Sequence, residues 1–162
     1  MKDAAGDLSA SDNYRGIALN SCFSKVIEYV VIFRLGTKLD TSPNQFGFKR
    51  DYSTVQAVAI LKTAVRYFNS NNSPVYACFV DARKAFDRVN AFKVIDLLLD
   101  RDTPHYICMF LFVWYSNSTM RVKWGAIVGR TFDYKNGVRQ GSCLSPMLFA
   151  VYIDNVIKDL GK

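Results

Sequence analysis

The sequence predicts an α+β fold, on three observations. Half of its 162 residues are hydrophobic, enough for a packed core. Several stretches repeat apolar residues at the helical three-to-four spacing. From Val75 onward the order reads strand, helices, strand pair, helix, which is most of a split β-α-β arrangement of an antiparallel sheet without its closing strand.

Asn20 to Leu35 reads as a buried helix, with Asn20 or Ser21 to cap it and Gly36 to end it. Thr37 to Tyr52, holding Pro43 and Gly47, reads as a loop. Ser53 or Thr54 opens a second helix, whose Val58, Leu61, Val65 and Phe68 share one face, and the polar run Asn69 to Pro74 stops it. Val75 to Val80, VYACFV, is apolar throughout and rich in β-formers, so it predicts a strand buried on both faces. Ala91 to Asp100 predicts a short amphipathic helix. Thr103 and Pro104 suit the N-cap and first position of a helix running to about Ser116. Thr119 to Trp124 and Arg130 to Tyr134 predict a hairpin. The loop Asn136 to Ser142 carries two glycines, and Ser145-Pro146 starts a last helix that Gly161 would end.

Lys and Arg total 21 against 14 acidic residues, a net charge of +7. That balance suits a polyanion such as nucleic acid, although many basic globular proteins touch none. Cys22, Cys78, Cys108 and Cys143 are widely spaced with no CxxC or Cys/His pair, which argues against zinc. Cys78 and Cys108 lie in apolar runs where buried free thiols are common, so a reducing compartment is expected. The first twenty residues are polar and charged, unlike a signal peptide. The longest apolar run, about Tyr106 to Tyr115, is too short for a bilayer. A soluble intracellular chain, nuclear or cytoplasmic and not secreted, is expected, and both ends read as cut from something longer.

Two stretches carry candidate chemistry. In FVDARKAFDRV, Asp81 closes the expected strand, where a carboxylate is held with little positional error. It suits either a Mg²⁺ ligand or the cap of the following turn. Asp87 suits a turn or cap better than a ligand. In GVRQGSCLSP, Gly141 permits close backbone approach, Gln140 offers a donor and an acceptor, and Arg139 adds a fixed positive charge. Alone, that loop could be an ordinary polar connection before a helix.

Together, D-x-x-K-A-F-D from Asp81 and G-V-x-Q-G-S-x-L-S-P-x-L-F from Gly137 closely resemble palm motifs A and B of non-LTR (LINE-type) retrotransposon reverse transcriptases. Asn13 to Leu19 resembles the first fingers motif, Ser24 to Glu28 follows in order, and Gln45 to Thr54 resembles the motif that opens the next fingers helix. The resemblance implies a partial right-hand polymerase: residues 1–74 a helical fingers segment, residues 75–162 an incomplete palm. It implies two-metal nucleotidyl transfer with Mg²⁺, on an RNA template, a DNA primer and deoxynucleoside triphosphates.

Residue by residue, Asp81 matches the metal-bridging aspartate and the Ala82 carbonyl a metal-facing position. Phe86 matches the aromatic gate that excludes a 2′-hydroxyl by clash, although without the motif a plain core role is the favoured reading of a Phe. Gln140 and Gly141, with Arg139 beside them, match the nucleotide-contacting pair. Arg15 matches a triphosphate-gripping arginine, Lys2 aligns loosely with its lysine, and Lys49 and Arg50 suit the template backbone or a solvated surface. Gly16, Ala18 and Arg139 depart from the commoner proline, serine and proline, which leaves the subfamily open.

The family's motif C supplies further carboxylates as an Asp-Asp pair, and no such pair occurs in these 162 residues. Asp154 and Asp159 lie on the last helix, where solvated or capping roles are expected. The expectation is a reverse transcriptase piece that does not polymerise by itself, with a decayed or domesticated nucleic-acid-binding relic as the alternative. Whether the chain is itself an enzyme stays open. A palm without its closing hairpin is also expected to be poorly soluble.

Overall fold

A computed structural model describes residues 13, 14 and 16–160. Its helices begin where local capping chemistry says they should. Helix α1, Cys22–Leu35, starts at Ser21, whose Oγ accepts the Ser24 N–H at 3.1 Å, and ends at Gly36. Helix α2, Thr54–Ser70, opens on a reciprocal box: Ser53 Oγ accepts the Gln56 N–H, and Gln56 Oε1 accepts the Ser53 N–H. Helix α3, Ala91–Leu99, is capped by Asn90 Oδ1, which accepts from the Phe92 and Lys93 N–H groups. Helix α4 is His105–Ser116 and helix α5 is Ser145–Leu160. Pro104, expected inside α4, takes the cap position itself, and Thr103 lies buried just before it. Gly161 falls outside the described residues.

The core is built by α3, α4 and α5. Ala91, Val94, Ile95 and Leu98 of α3 form one i, i+3, i+4, i+7 stripe. It meets Ile107, Cys108, Leu111 and Tyr115 of α4 and Leu148 and Val151 of α5. Val31 and Leu35 of α1 join it, as do Val89, Val138 and Leu144 from connecting segments. Burying such a side chain stabilises by about 1.5–3 kcal/mol.

Two expectations of burial, for α1 and for residues 75–80, are corrected, and the apolar stripe of α2 is uncovered. Helix α1 buries only Glu28, Val31 and Leu35, one stripe; Phe23 and Phe33 on its other sides are more than four-fifths exposed. Helix α2 forms at the expected residues but buries none of them, and Val58, Leu61 and Phe68 face solvent, because no described element packs on that stripe. Residues 75–80 are neither strand nor buried: they are irregular, and Tyr76, Phe79 and Val80 are each more than 80% exposed. A strand needs ladder partners for its backbone groups, and among the described residues none runs beside this segment.

Among the described residues the strands form one antiparallel hairpin in two short ladders. Strand β1, Thr119–Met120, pairs with β4, Phe132–Asp133; strand β2, Lys123–Trp124, pairs with β3, Ile127–Val128. The second arm therefore begins at Ile127, earlier than the expected Arg130. Between the ladders, residues 121–122 oppose residues 129–131, so the longer arm bulges, and the Gly129 N–H donates to Val122 O at 2.8 Å. The α+β class stands, while among the described residues the antiparallel pairs do not extend to a split β-α-β sheet.

Candidate functional site

The loop between β4 and α5 is the junction of the molecule. On one side it is stitched to the segment that follows Asp81. The Gly137 N–H donates to Val89 O at 2.8 Å, and the Val138 N–H donates to Phe86 O at 2.9 Å. Gly137 has φ +93°, and a Cβ there would stand 2.5 Å from the Tyr134 hydroxyl and 3.0 Å from Phe86 O, so only glycine lets the two segments close. On the other side the loop holds the amino-terminal segment. The Ala18 N–H donates to Gln140 O at 2.7 Å. Gly141, φ +105°, passes so close that a Cβ would meet Ala18 O at 2.6 Å.

Glu28 completes the clamp. It is 2% exposed on α1; its Oε2 accepts the Cys143 N–H at 2.7 Å and its Oε1 accepts from Asn20 Nδ2 at 3.3 Å. The sequence placed Glu28 in a motif but gave it no task; its partner is 115 positions away, beyond any local signal.

These ties leave a cleft of about 1140 Å³ between the amino-terminal segment, the hairpin and the loop, with Ala18, Asp87, Arg121, Trp124, Arg139 and Gln140 among its lining. Arg139 is half-buried; its Nη2 donates to Ser118 Oγ, and its buried Nε has no hydrogen-bond partner among the described residues. Burial pushes the Tyr134 phenol up, the Asp87 charge adds to the rise, and Arg139 opposes it.

The candidate residues divide between those the fold gathers and those it does not. Arg139, Gln140 and Gly141 sit at the cleft and its loop. Phe86 is half-buried outside it, stacked on Phe149 at 4.7 Å and edge-on to Phe48 at 5.5 Å. Asp81 and Ala82 are exposed on the irregular segment and do not line the cleft. Arg15 and Lys2 lie outside the described residues. Lys49 Nζ donates to Thr41 O and Ser42 O and stands 4.3 Å from the Tyr52 ring centroid, so it ties its own loop, whereas Arg50 is exposed.

Two further corrections concern ionisable side chains. Asp154, expected in a solvated or capping role, is fully buried and accepts from Ser42 N, Arg101 Nη2 and Lys158 Nζ, each at 2.6 Å. Burial would raise its carboxyl, but the Lys158 hydrogen bond, the Ser42 N–H and the two cations outweigh it and hold it below the ordinary carboxylate range. Cys78, expected in a buried strand, is exposed; Cys108 is buried as expected, and all four thiols are free.

Among the described residues no three His, Cys, Asp or Glu side chains gather where a metal could sit. Nor is any described helix long and apolar enough to cross a membrane.

A profile of the family described as reverse transcriptase (RNA-dependent DNA polymerase) matches residues 2–162, across both the Asp81 and the Gln140 segments. The chain belongs to the reverse transcriptase family. It is similar to the retrovirus-related Pol polyprotein from type-1 retrotransposable element R2 of Popillia japonica, 29% identical over 96% of this chain and 22% of that protein. It is also similar to two Drosophila melanogaster proteins. The probable RNA-directed DNA polymerase from transposon BS is 30% identical over 87% of this chain and 16% of that protein. The one from transposon X-element is 26% identical over 86% and 16%. These relatives are polymerases of non-LTR elements, so this reverse transcriptase chain falls with that branch. It spans between about a sixth and about a fifth of their length.

Proposed function

We propose that this chain is the nucleotide- and template-handling part of an RNA-directed DNA polymerase of a non-LTR retrotransposon. Residues 1–74 would serve as a fingers segment and residues 75–162 as part of the palm. The observation that carries the reading is the double tie of the Gly137–Cys143 loop. One side binds the segment just after Asp81, the other binds Ala18, so three stretches with reverse-transcriptase motifs converge on one cleft. A family resemblance alone does not demand that convergence.

In this reading Gln140 and Gly141 bear on the incoming nucleotide, Arg139 supplies fixed charge beside them, and Arg15 grips the triphosphate. Phe86 serves as the gate against ribonucleotides, its ring fixed by Phe149 and Phe48. Asp81, with the Ala82 carbonyl, is the catalytic carboxylate. The partners are an RNA template, a DNA primer and deoxynucleoside triphosphates. The chemistry of such enzymes runs on two magnesium ions, which stabilise charge on the reacting phosphate. The described residues do not fit that pair: Asp81 is exposed and no second carboxylate joins it in a cluster.

That misfit favours a second reading, a relic that binds nucleic acid without polymerising. Two measurements test the readings. Fluorescence anisotropy with a DNA-primed RNA should show binding that weakens steeply with salt, since cations on the protein displace counterions from phosphates. Primer extension by the 162-residue chain with Mg²⁺ should give no product. Extension that disappears in Asp81→Asn would discard the relic. Absence of any binding at low salt would discard both.

A further inference from the structure

We propose that the hairpin of residues 119–134 is a platform for single-stranded nucleic acid, with Trp124 as the surface on which an unpaired base stacks. The proposal rests on the reading above and names the element and the strandedness that reading leaves open.

Residues 121–133 are all exposed. The two-residue period of a strand sorts them. Met120, Val122 and Trp124 fall on one face; Phe132 and Ile127 stand opposite Met120 and Trp124 in register and share it. Arg121 and Lys123 alternate with them in sequence and line the same cleft. Trp124 is 59% exposed although Tyr14 packs edge-on at 4.7 Å, so a large part of its surface is uncovered. A cross-strand aromatic and aliphatic face normally packs on a core, and this one is open to the cleft and solvent instead.

Charge selects the occupant. Residues 119–135 carry Arg121, Lys123, Arg130 and Lys135 against Asp133 alone. The cleft beside them is also lined by Arg139, whose Nη2 donates to Ser118 Oγ. An apolar protein segment would satisfy the apolar face but not four cations. Cations interleaved with an accessible indole are the pattern that grips a phosphate backbone while bases stack. Strandedness follows from the same geometry. Bases inside a duplex are already stacked on both sides and offer the indole no free face.

The test uses the full chain carrying Trp114→Phe, which leaves Trp124 as its only tryptophan, since the sequence has two. A ten-nucleotide oligouridine and a blunt RNA–DNA duplex of equal length are titrated at low salt. The single strand should quench Trp124 emission saturably, and the duplex should not. By anisotropy, Trp124→Ala should weaken oligouridine binding about tenfold or more. Arg121→Ala and Lys123→Ala should each flatten the logarithmic salt slope by about 0.7. Because all three side chains are exposed, far-ultraviolet circular dichroism should be unchanged. Oligouridine binding that ignores Trp124→Ala overturns the platform while leaving the nucleic-acid reading intact. Failure of every nucleic acid to bind removes both. A Trp124→Ala chain that turns from dimer to monomer in sedimentation makes the hairpin a self-association face and also overturns the proposal.

Discussion

Replacing Asp154 with alanine probes the best-anchored part of this fold. Three groups lose their acceptor. Ser42 is buried, so its N–H is left without water, at a cost of about 1–3 kcal/mol. Arg101, 20% exposed at its side chain, keeps Lys38 O and Asp40 O but loses its counter-charge, about 1.5–3 kcal/mol. Lys158 is half exposed and rehydrates, so its share is under about 1 kcal/mol. These losses overlap, and the expected net is about 3–5 kcal/mol, typical of an ion pair broken from one side. Urea denaturation measures it. With a slope of about 1.5 kcal/mol per molar, a loss of about 3 kcal/mol lowers the midpoint by about 2 M. Asp154→Asn keeps an oxygen for Ser42 and should lose less; Lys158→Ala should lose least. The carboxyl is held below its unfolded value of about 3.9, so its contribution is complete above that pH and fades as pH falls through the lower folded value. The gap between wild type and Asp154→Asn should therefore shrink below about pH 4. An Asp154→Ala chain within about 0.5 kcal/mol of wild type at neutral pH would refute the buried hub.

Gly137→Ala should destabilise by about 1–3 kcal/mol in the same assay, because the new methyl meets the Tyr134 hydroxyl and Phe86 O at a backbone angle that L-residues resist. Stopped-flow reaction with a chromogenic disulfide should find Cys22 and Cys78 fast and Cys108 slow, since burial both hides the Cys108 thiol and pushes its pKa up; a fast Cys108 would contradict the packing of α4 on α3. The uncovered side chains of residues 75–80 and of the α2 stripe should make the chain self-associate at micromolar concentration, and a sharp monomeric boundary in sedimentation velocity would count against that.

Helix ends were legible because capping is chemistry between near neighbours. Ser53 with Gln56 and Ser21 with Ser24 both lie three apart. The α3 stripe was legible for the same reason, since its period is written in nine residues. What a face packs against is not local. The α2 stripe has the right period and no described partner, and the apolar run at residues 75–80 has strand composition and no ladder among the described residues. Asp154 reads as solvated or capping from its own helix, because two of its partners, Arg101 and Ser42, are 53 and 112 positions away. The Gln140–Gly141 loop was found through its motif, yet the reason for its glycines, the close approach of Tyr134, Phe86 and Ala18, appears only in three dimensions.

The two halves of the candidate site differ in what fixes them, and the difference is physical. The Gly137–Cys143 loop is tied by backbone hydrogen bonds to Val89, Phe86 and Ala18 and by the buried Glu28 carboxylate, four links from three directions. Asp81 has none among the described residues, because its position depends on a strand that needs a neighbour to form. A carboxylate that must meet a metal within a few tenths of an ångström cannot be held by an unpaired segment. The segment's composition, six consecutive apolar residues, is what a strand paired on both edges and covered on both faces requires. On the proposed function, the loop would receive a nucleic acid on its own ties, while reactivity at Asp81 would require a pairing strand beside residues 75–80. Binding and chemistry should separate experimentally in this chain, binding sensitive to Arg139 and Gln140 and indifferent to Asp81→Asn.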